Sequence, residues 1–154
     1  NKSFKNFMFR IEYIEKYFAT YPGVRKFVDG LVSKAKKSGE SHTLFGRIRP
    51  LPDITSSNHK TRSEQERIAM NSPIQGTAAD IMKIAMLRVD RRLTESGMKS
   101  RLLLQIHDEL LVETAADEVD EVKKILIEEM AGAAKLSVPL EVDAKQGENW
   151  LEAH

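Results

Sequence analysis

The sequence predicts an α+β fold: several helices with a small antiparallel sheet built on a hairpin at 101–113 and a strand near 139–144. Three patterns point there. Apolar residues recur at helical spacing through much of residues 13–95 and again over 119–130. Arg101–Ile106 and Leu110–Glu113 are β-like runs separated by three ionisable residues. Pro139 to Ala144 (PLEVDA) alternates, the period-two pattern of a half-buried strand.

Taken in order, Phe9, Tyr13, Ile14, Tyr17, Phe18 and Tyr21 form a first helical stripe, which Pro22-Gly23 is expected to end. Val24, Phe27, Val28, Leu31 and Ala35 mark a second amphipathic helix, with Gly39 as its C-terminal stop. Residues 40–61 lack a helical period and read as a loop with a short hairpin near Thr43–Arg49. A polar helix is expected from about Lys60 to Met70. Ser72-Pro73-Ile74-Gln75 then reads as a new helix start, with Ser as N-cap, Pro at the first helical position and Gln three residues after the cap. Ile74, Ala78, Ile81, Ala85, Val89 and Leu93 make that helix's apolar face, ending near Ser96-Gly97. After the hairpin, Asp117, Glu118, Asp120 and Glu121 crowd a helix N-terminus, where the dipole favours carboxylates. Its apolar face is Val119, Val122, Leu126 and Met130. A sheet of three strands is thin, and its edges invite pairing.

A chain of 154 residues can bury a real core within one domain. Its 41% hydrophobic and 31% charged residues are those of an ordinary globular protein. The lack of cysteine excludes disulfides and thiolate metal sites, and suits a reducing cytoplasm. No apolar run approaches the roughly 20 residues that span a bilayer, so no membrane association is expected. The opening NKSFKNFMFRIEYIEKYF lacks the pattern of a secretory signal. The formal charge of +1 conceals an asymmetry. Residues 1–106 hold 20 of the 24 Lys and Arg and 10 of the 23 acids, a net +10; residues 107–154 hold 4 and 13, a net −9. Either the basic portion faces a polyanion, or the two portions attract each other.

His107, Asp108 and Glu109 stand between the two β-like runs, at the tip of the expected hairpin. Two-residue turns favour Gly, Asn or Asp because their backbone must reach positive φ, so turn chemistry alone explains the triplet poorly. Adjacent carboxylates repel unless a cation lies near, and a hard divalent cation with oxygen ligands would relieve them. A solvated charged turn is the plainer alternative. The HD doublet of metal-dependent phosphohydrolases fits less well. That doublet sits on a helix among further His and Asp ligands, whereas His42 and His59 here fall in a loop without ligand spacing.

Two stretches together carry a family resemblance. QIHDELLVE resembles motif C of the family A DNA polymerases, the bacterial DNA polymerase I group, and ERIAMNSPIQGTAADIMKIAM (Glu66 to Met86) resembles the helical segment preceding that motif. YFATYPGVRKFV, TLFGRIRPLPDITSSN and the closing GENWLEAH match in the same order, so the resemblance covers roughly Tyr13 to His154. It implies a single partial polymerase domain, with fingers-like helices and loop over about 13–71 and a palm-like part over about 72–154. The implied activity is DNA-directed DNA polymerase, template-directed addition of deoxynucleoside triphosphates to a primer 3′ end. The implied cofactor is Mg²⁺, two ions that align the hydroxyl with the α-phosphate; the implied partner is primer–template DNA.

By resemblance Asp108 is the motif C carboxylate at the metals, Glu109 a weaker or indirect ligand, and His107 a neighbour of the primer terminus. Arg67, Asn71 and Gln75 match positions that touch the minor groove of the nascent duplex, and they share one face if the helix runs through. Minor-groove acceptors recur at every base pair, so donors there can check pairing geometry without reading sequence. From the residues alone, Gln75 could equally complete a capping box with Ser72, and Arg67 could pair with Glu64 or Glu66. Arg47, Arg49, Asn58, Lys60 and Arg62 are expected backbone contacts from the loop.

The departures set limits. Motif A, which supplies the family's second metal-binding Asp, has no counterpart, and neither has the fingers helix whose Arg, Lys and Tyr hold the incoming nucleotide. Residues 1–12 do not match what precedes the Tyr13 helix in the family. The isolated chain is therefore expected not to polymerise. A second reading is a non-catalytic DNA-binding or self-assembling module, associating through an open sheet edge.

Overall fold

The structure, a computed structural model, describes residues 13–153. Phe9 lies outside them. The chain forms two compact units, one up to Gln75 and one from Gly76.

In the first unit, helix α1 covers residues 13–20 and α2 covers Pro22–Ser38. Pro22 does more than end a helix: it opens the next one, where its missing N–H costs nothing and its fixed φ is already helical. Gly39 closes α2 in the left-handed region at φ 74°, its N–H donating to Ala35 O at 2.8 Å. The expected hairpin is present and starts slightly earlier, with β1 (Glu40–His42) antiparallel to β2 (Ile48–Pro50). Its loop closes through Thr43 N–H to Arg47 O at 3.0 Å and a left-handed Gly46 at φ 82°. Ala35, Leu51, Ile54 and Ala69 form the buried core, with Ile68 packed against it.

Helix α3 corrects the expected break at Ser72-Pro73. It is one helix, His59–Glu95, with Pro73 inside it, so Ser72 is no N-cap. An interior proline costs about 3 kcal/mol through its missing donor and ring clash. Burial of Ala69 before it, and of Ala85, Val89 and Leu93 after it, offsets that cost. Ile74, assigned above to the apolar face, is 56% exposed, beside exposed Asn71 and Gln75.

The second unit contains the remainder of α3, strands β3 (Arg101–Ile106) and β4 (Glu109–Glu113), α4 (Val119–Ala131) and the short α5 (Trp150–Ala153). Val89 and Leu93 of α3 pack with Val122 and Ile125 of α4, and Leu110, Val112, Met98, Leu126 and Met130 close around them. Ile125, absent from the expected apolar face, is fully buried. Polar contacts fasten α4 to α3 alongside this core. Arg88 Nε donates to Glu129 Oε2 at 2.8 Å and Arg88 Nη1 to Gly132 O. Arg92 Nη1 bridges Glu128 Oε2 at 2.6 Å and Glu129 Oε1 at 2.9 Å.

The strand expected near 139–144 is not formed, and the described residues contain two two-stranded sheets, not one of three strands. Burial does alternate there, with Leu140, Val142 and Ala144 half-buried and Glu141 and Asp143 exposed. Alternation records which side faces the protein; a strand also requires a hydrogen-bonded neighbour, and none pairs with this segment among the described residues. No helix among them is long and apolar enough to cross a membrane.

Candidate functional site

The first unit gathers four of the residues singled out above. Because α3 runs unbroken, Arg67, Asn71 and Gln75 lie one turn apart on a single face. With Arg49 of β2, Ile68 and Ser72 they line a concavity of about 220 Å³. The capping-box alternative for Gln75 falls with the helix break. The pairing suggested for Arg67 is not formed either: Glu66 instead meets Lys36 Nζ at 2.6 Å. That partner holds the Glu66 carboxyl below its usual range. The face therefore presents a guanidinium and two carboxamides beside a second guanidinium, a set rich in donors.

The other loop residues are placed differently. Asn58 caps α3, its Oδ1 accepting the N–H groups of Lys60 at 3.0 Å and Thr61 at 3.3 Å. Arg62 Nη1 donates to Ser56 O at 2.8 Å. Arg47, in the hairpin loop, and Lys60, in the first turn of α3, are exposed. None of Arg47, Asn58, Lys60 and Arg62 lines the concavity.

In the second unit the hairpin forms where it was expected. Ile106 pairs with Glu109, leaving His107 and Asp108 as a two-residue loop. His107 supplies the positive φ at 51°, uncommon for a non-glycine residue. Gln105 Nε2 donates to His107 O at 2.5 Å, bracing the loop from the adjoining strand. His107, Asp108 and Glu109 are all exposed. The loop thus adopts this backbone without glycine and exposes two neighbouring carboxylates.

The tip fits a hard divalent cation in donor chemistry. Mg²⁺ is held by one or two carboxylates, its remaining positions filled by water and substrate phosphates. Asp108 and Glu109 supply that number of carboxylates. No group of three or more His, Cys, Asp or Glu gathers among the described residues to form a fuller cage.

Sequence reasoning missed the polar network at the base of the same hairpin. Ser100 Oγ donates to Glu118 Oε2 at 2.6 Å and accepts the Ala115 N–H at 3.0 Å. Glu118 also accepts the N–H groups of Lys99 at 3.0 Å and Ser100 at 2.9 Å. These donors, Lys99 N–H foremost, hold the Glu118 carboxyl below its usual range. The available signal was the acidic cluster at 117–121, which pointed to the helix dipole alone.

Comparison with known proteins agrees with the motifs. The family model for DNA polymerase family A matches residues 11–152. DNA polymerase I of Caldicellulosiruptor bescii is 51% identical over 141 residues, covering 92% of this chain and 17% of that protein. DNA polymerase I of Geobacillus stearothermophilus is 49% identical over 142 residues, 92% of this chain and 16% of that protein. Among solved structures, the POL domain of Pol1 from M. smegmatis, in complex with DNA primer–template and dNTP, superposes with a TM-score of 0.89 at 45% identity. The match covers 91% of this chain and 25% of that one. The chain thus spans about a sixth of the length of these curated relatives, and it belongs to DNA polymerase family A.

Proposed function

We propose that this chain carries the motif C part of a DNA-directed DNA polymerase site, together with a face that holds primer–template DNA. The observation that carries the reading is the exposed Asp108–Glu109 tip in a chain that superposes on a polymerase domain complexed with primer–template and dNTP. Asp108 and Glu109 would hold Mg²⁺, which supplies charge stabilisation for the attacking and leaving oxygens of nucleotidyl transfer. Asp108 places its carboxylate at the end of a braced loop, which fixes where the reacting groups are held. The His107 imidazole, next along the loop, contacts the primer-terminal phosphate or base. Arg67, Asn71 and Gln75 donate to minor-groove acceptors, and Arg49 beside them contacts the DNA backbone. Arg47, Asn58, Lys60 and Arg62 contact phosphates with the donors that local bonding leaves them.

In this reading the isolated chain does not polymerise, because one pair of carboxylates is half of a two-metal site. The test is a graft into DNA polymerase I of Geobacillus stearothermophilus, replacing its aligned segment with residues 11–152. The chimera extends a primed template and the isolated chain does not. Template-directed incorporation by the isolated chain would contradict the half-site, and an inactive but folded chimera would contradict the polymerase reading.

A second reading, self-association, is favoured by β3. Among the described residues that strand pairs with β4 alone, and it exposes Leu103 by 49% and Leu104 by 44%. Such an edge recruits a further strand. Light scattering that shows a monomer at high concentration would end it.

A further inference from the structure

The β3–β4 ladder changes step along its length. At its base Arg101 pairs with Glu113 and Leu102 with Val112; towards the tip Leu104 pairs with Leu111, Gln105 with Leu110 and Ile106 with Glu109. Leu103 is passed over, as the extra residue of a bulge. A bulge bends its strand and increases the local twist; with the base in the tip's register, Leu102 would pair with Glu113, β3 would run straight, and the loop would leave the strands in a different direction.

A two-stranded hairpin is marginally stable by itself; Leu110 and Val112, packed on the core, fix β4, whereas Leu103 and Leu104 of β3 are exposed. Something must hold the base while the tip runs one residue out of step. The Ser100–Glu118 network sits at that place. Ser100 immediately precedes β3, is 5% exposed, and joins the chain leaving β4 through Ala115 N–H. Glu118, at the start of α4, gathers Lys99 N–H, Ser100 N–H and Ser100 Oγ–H on one carboxylate. Lys99 Nζ meets Asp117 at 2.8 Å and Arg101 meets Glu113 at 2.6 Å, both exposed and individually weak.

We propose that Ser100 and Glu118 are positioning residues for Asp108: their hydrogen-bonded clip pins the hairpin base one residue out of step with the tip, retains the bulge at Leu103, and so sets the bend with which β3 carries the His107-Asp108 loop. This rests on the polymerase reading of Asp108 only for its catalytic consequence; the effect on register stands apart from it.

The experiment measures cross-strand contacts in this chain by NMR. The native chain shows Arg101–Glu113 and Leu102–Val112 contacts alone at the base. Glu118→Ala and Ser100→Ala each add a second set, Arg101–Thr114 and Leu102–Glu113, in which the base falls into the tip's register, and Ser100→Thr, which keeps the hydroxyl, restores the single set. Should an alanine variant not fold, Glu118→Gln retains one acceptor oxygen and shows the second set as a minor form. A single native register in the folded variants would overturn the proposal, as would Ser100→Thr behaving like Ser100→Ala. In the chimeric polymerase, Glu118→Ala lowers kcat about tenfold with KM for dNTP within about twofold, as expected of a displaced catalytic group. Normal kcat despite a mixed register would overturn the positioning role. Normal turnover of Asp108→Asn would instead end the polymerase reading and leave the register result intact.

Discussion

Arg67 and Gln75 stand two turns apart on α3 and line the same concavity, with Pro73 lying between them inside a helix that does not break. Helical phase, maintained through the proline, puts both side chains on the face that receives Arg49 from β2. Arg67→Ala is expected to weaken binding to primer–template DNA by about 1–3 kcal/mol, equally for different sequences. Gln75→Ala is expected to weaken it less, since it removes a neutral donor. Fluorescence anisotropy at two salt concentrations checks both. Affinity that ignores salt would exclude phosphate contacts from the complex.

The second unit's core makes a contrast between near neighbours on α4. Ile125 is fully buried, whereas Ile127 is 42% exposed. Ile125→Ala is expected to cost about 2–5 kcal/mol, and Ile127→Ala to stay within about 0.5 kcal/mol. Urea unfolding with an unchanged m-value measures the difference.

Glu129 carries a pH dependence. Arg92, then Arg88, hydrogen-bond its carboxylate and hold it below the usual carboxylate range. A carboxyl lowered on folding contributes stability that is complete above its unfolded value and is lost as pH falls through the folded one. Stability is therefore expected to decline as pH drops below the ordinary carboxylate range, and Glu129→Gln to flatten that decline. Thermal unfolding across acidic pH tests this. An unaltered slope in the variant would show that Glu129 contributes nothing to it.

Gly39 holds a left-handed backbone at φ 74° while its N–H closes α2 and its carbonyl accepts the Leu51 N–H at 2.7 Å. A Cβ there meets nothing within 4 Å, so the cost of substitution is conformational, not steric crowding by neighbours. Gly39→Ala is expected to destabilise by about 1–2 kcal/mol, and Gly39→Asn by less. Equal losses for the two would contradict a backbone origin.

What was legible in the sequence followed from how local its physics was. The β3–β4 hairpin shows as two apolar runs because side-chain alternation and burial are recorded residue by residue. The stop at Gly39 shows because left-handed φ favours glycine. The α3 continuation through Pro73 was hidden: Ser72-Pro73 has every local mark of a helix start, and only packing on both sides of the proline overrules it. Leu140 to Ala144 was half legible, its sidedness visible and its lack of a ladder partner invisible. The Ser100–Glu118 clip joins residues 18 positions apart, and no period or motif announces such a pair. Asp108 and Glu109 stood out as charges where a core or a turn would not place them; their assignment needed the family.

The most direct measurement is primer extension by the chimeric polymerase carrying Asp108→Asn. The substitution keeps the size of the side chain and removes its charge at the hairpin tip. Turnover is expected to fall by orders of magnitude while affinity for primer–template DNA stays within about twofold, because a lost transition-state contact lowers kcat and spares ground-state binding. Normal turnover, or a large loss of DNA affinity with turnover preserved, would contradict a catalytic Asp108.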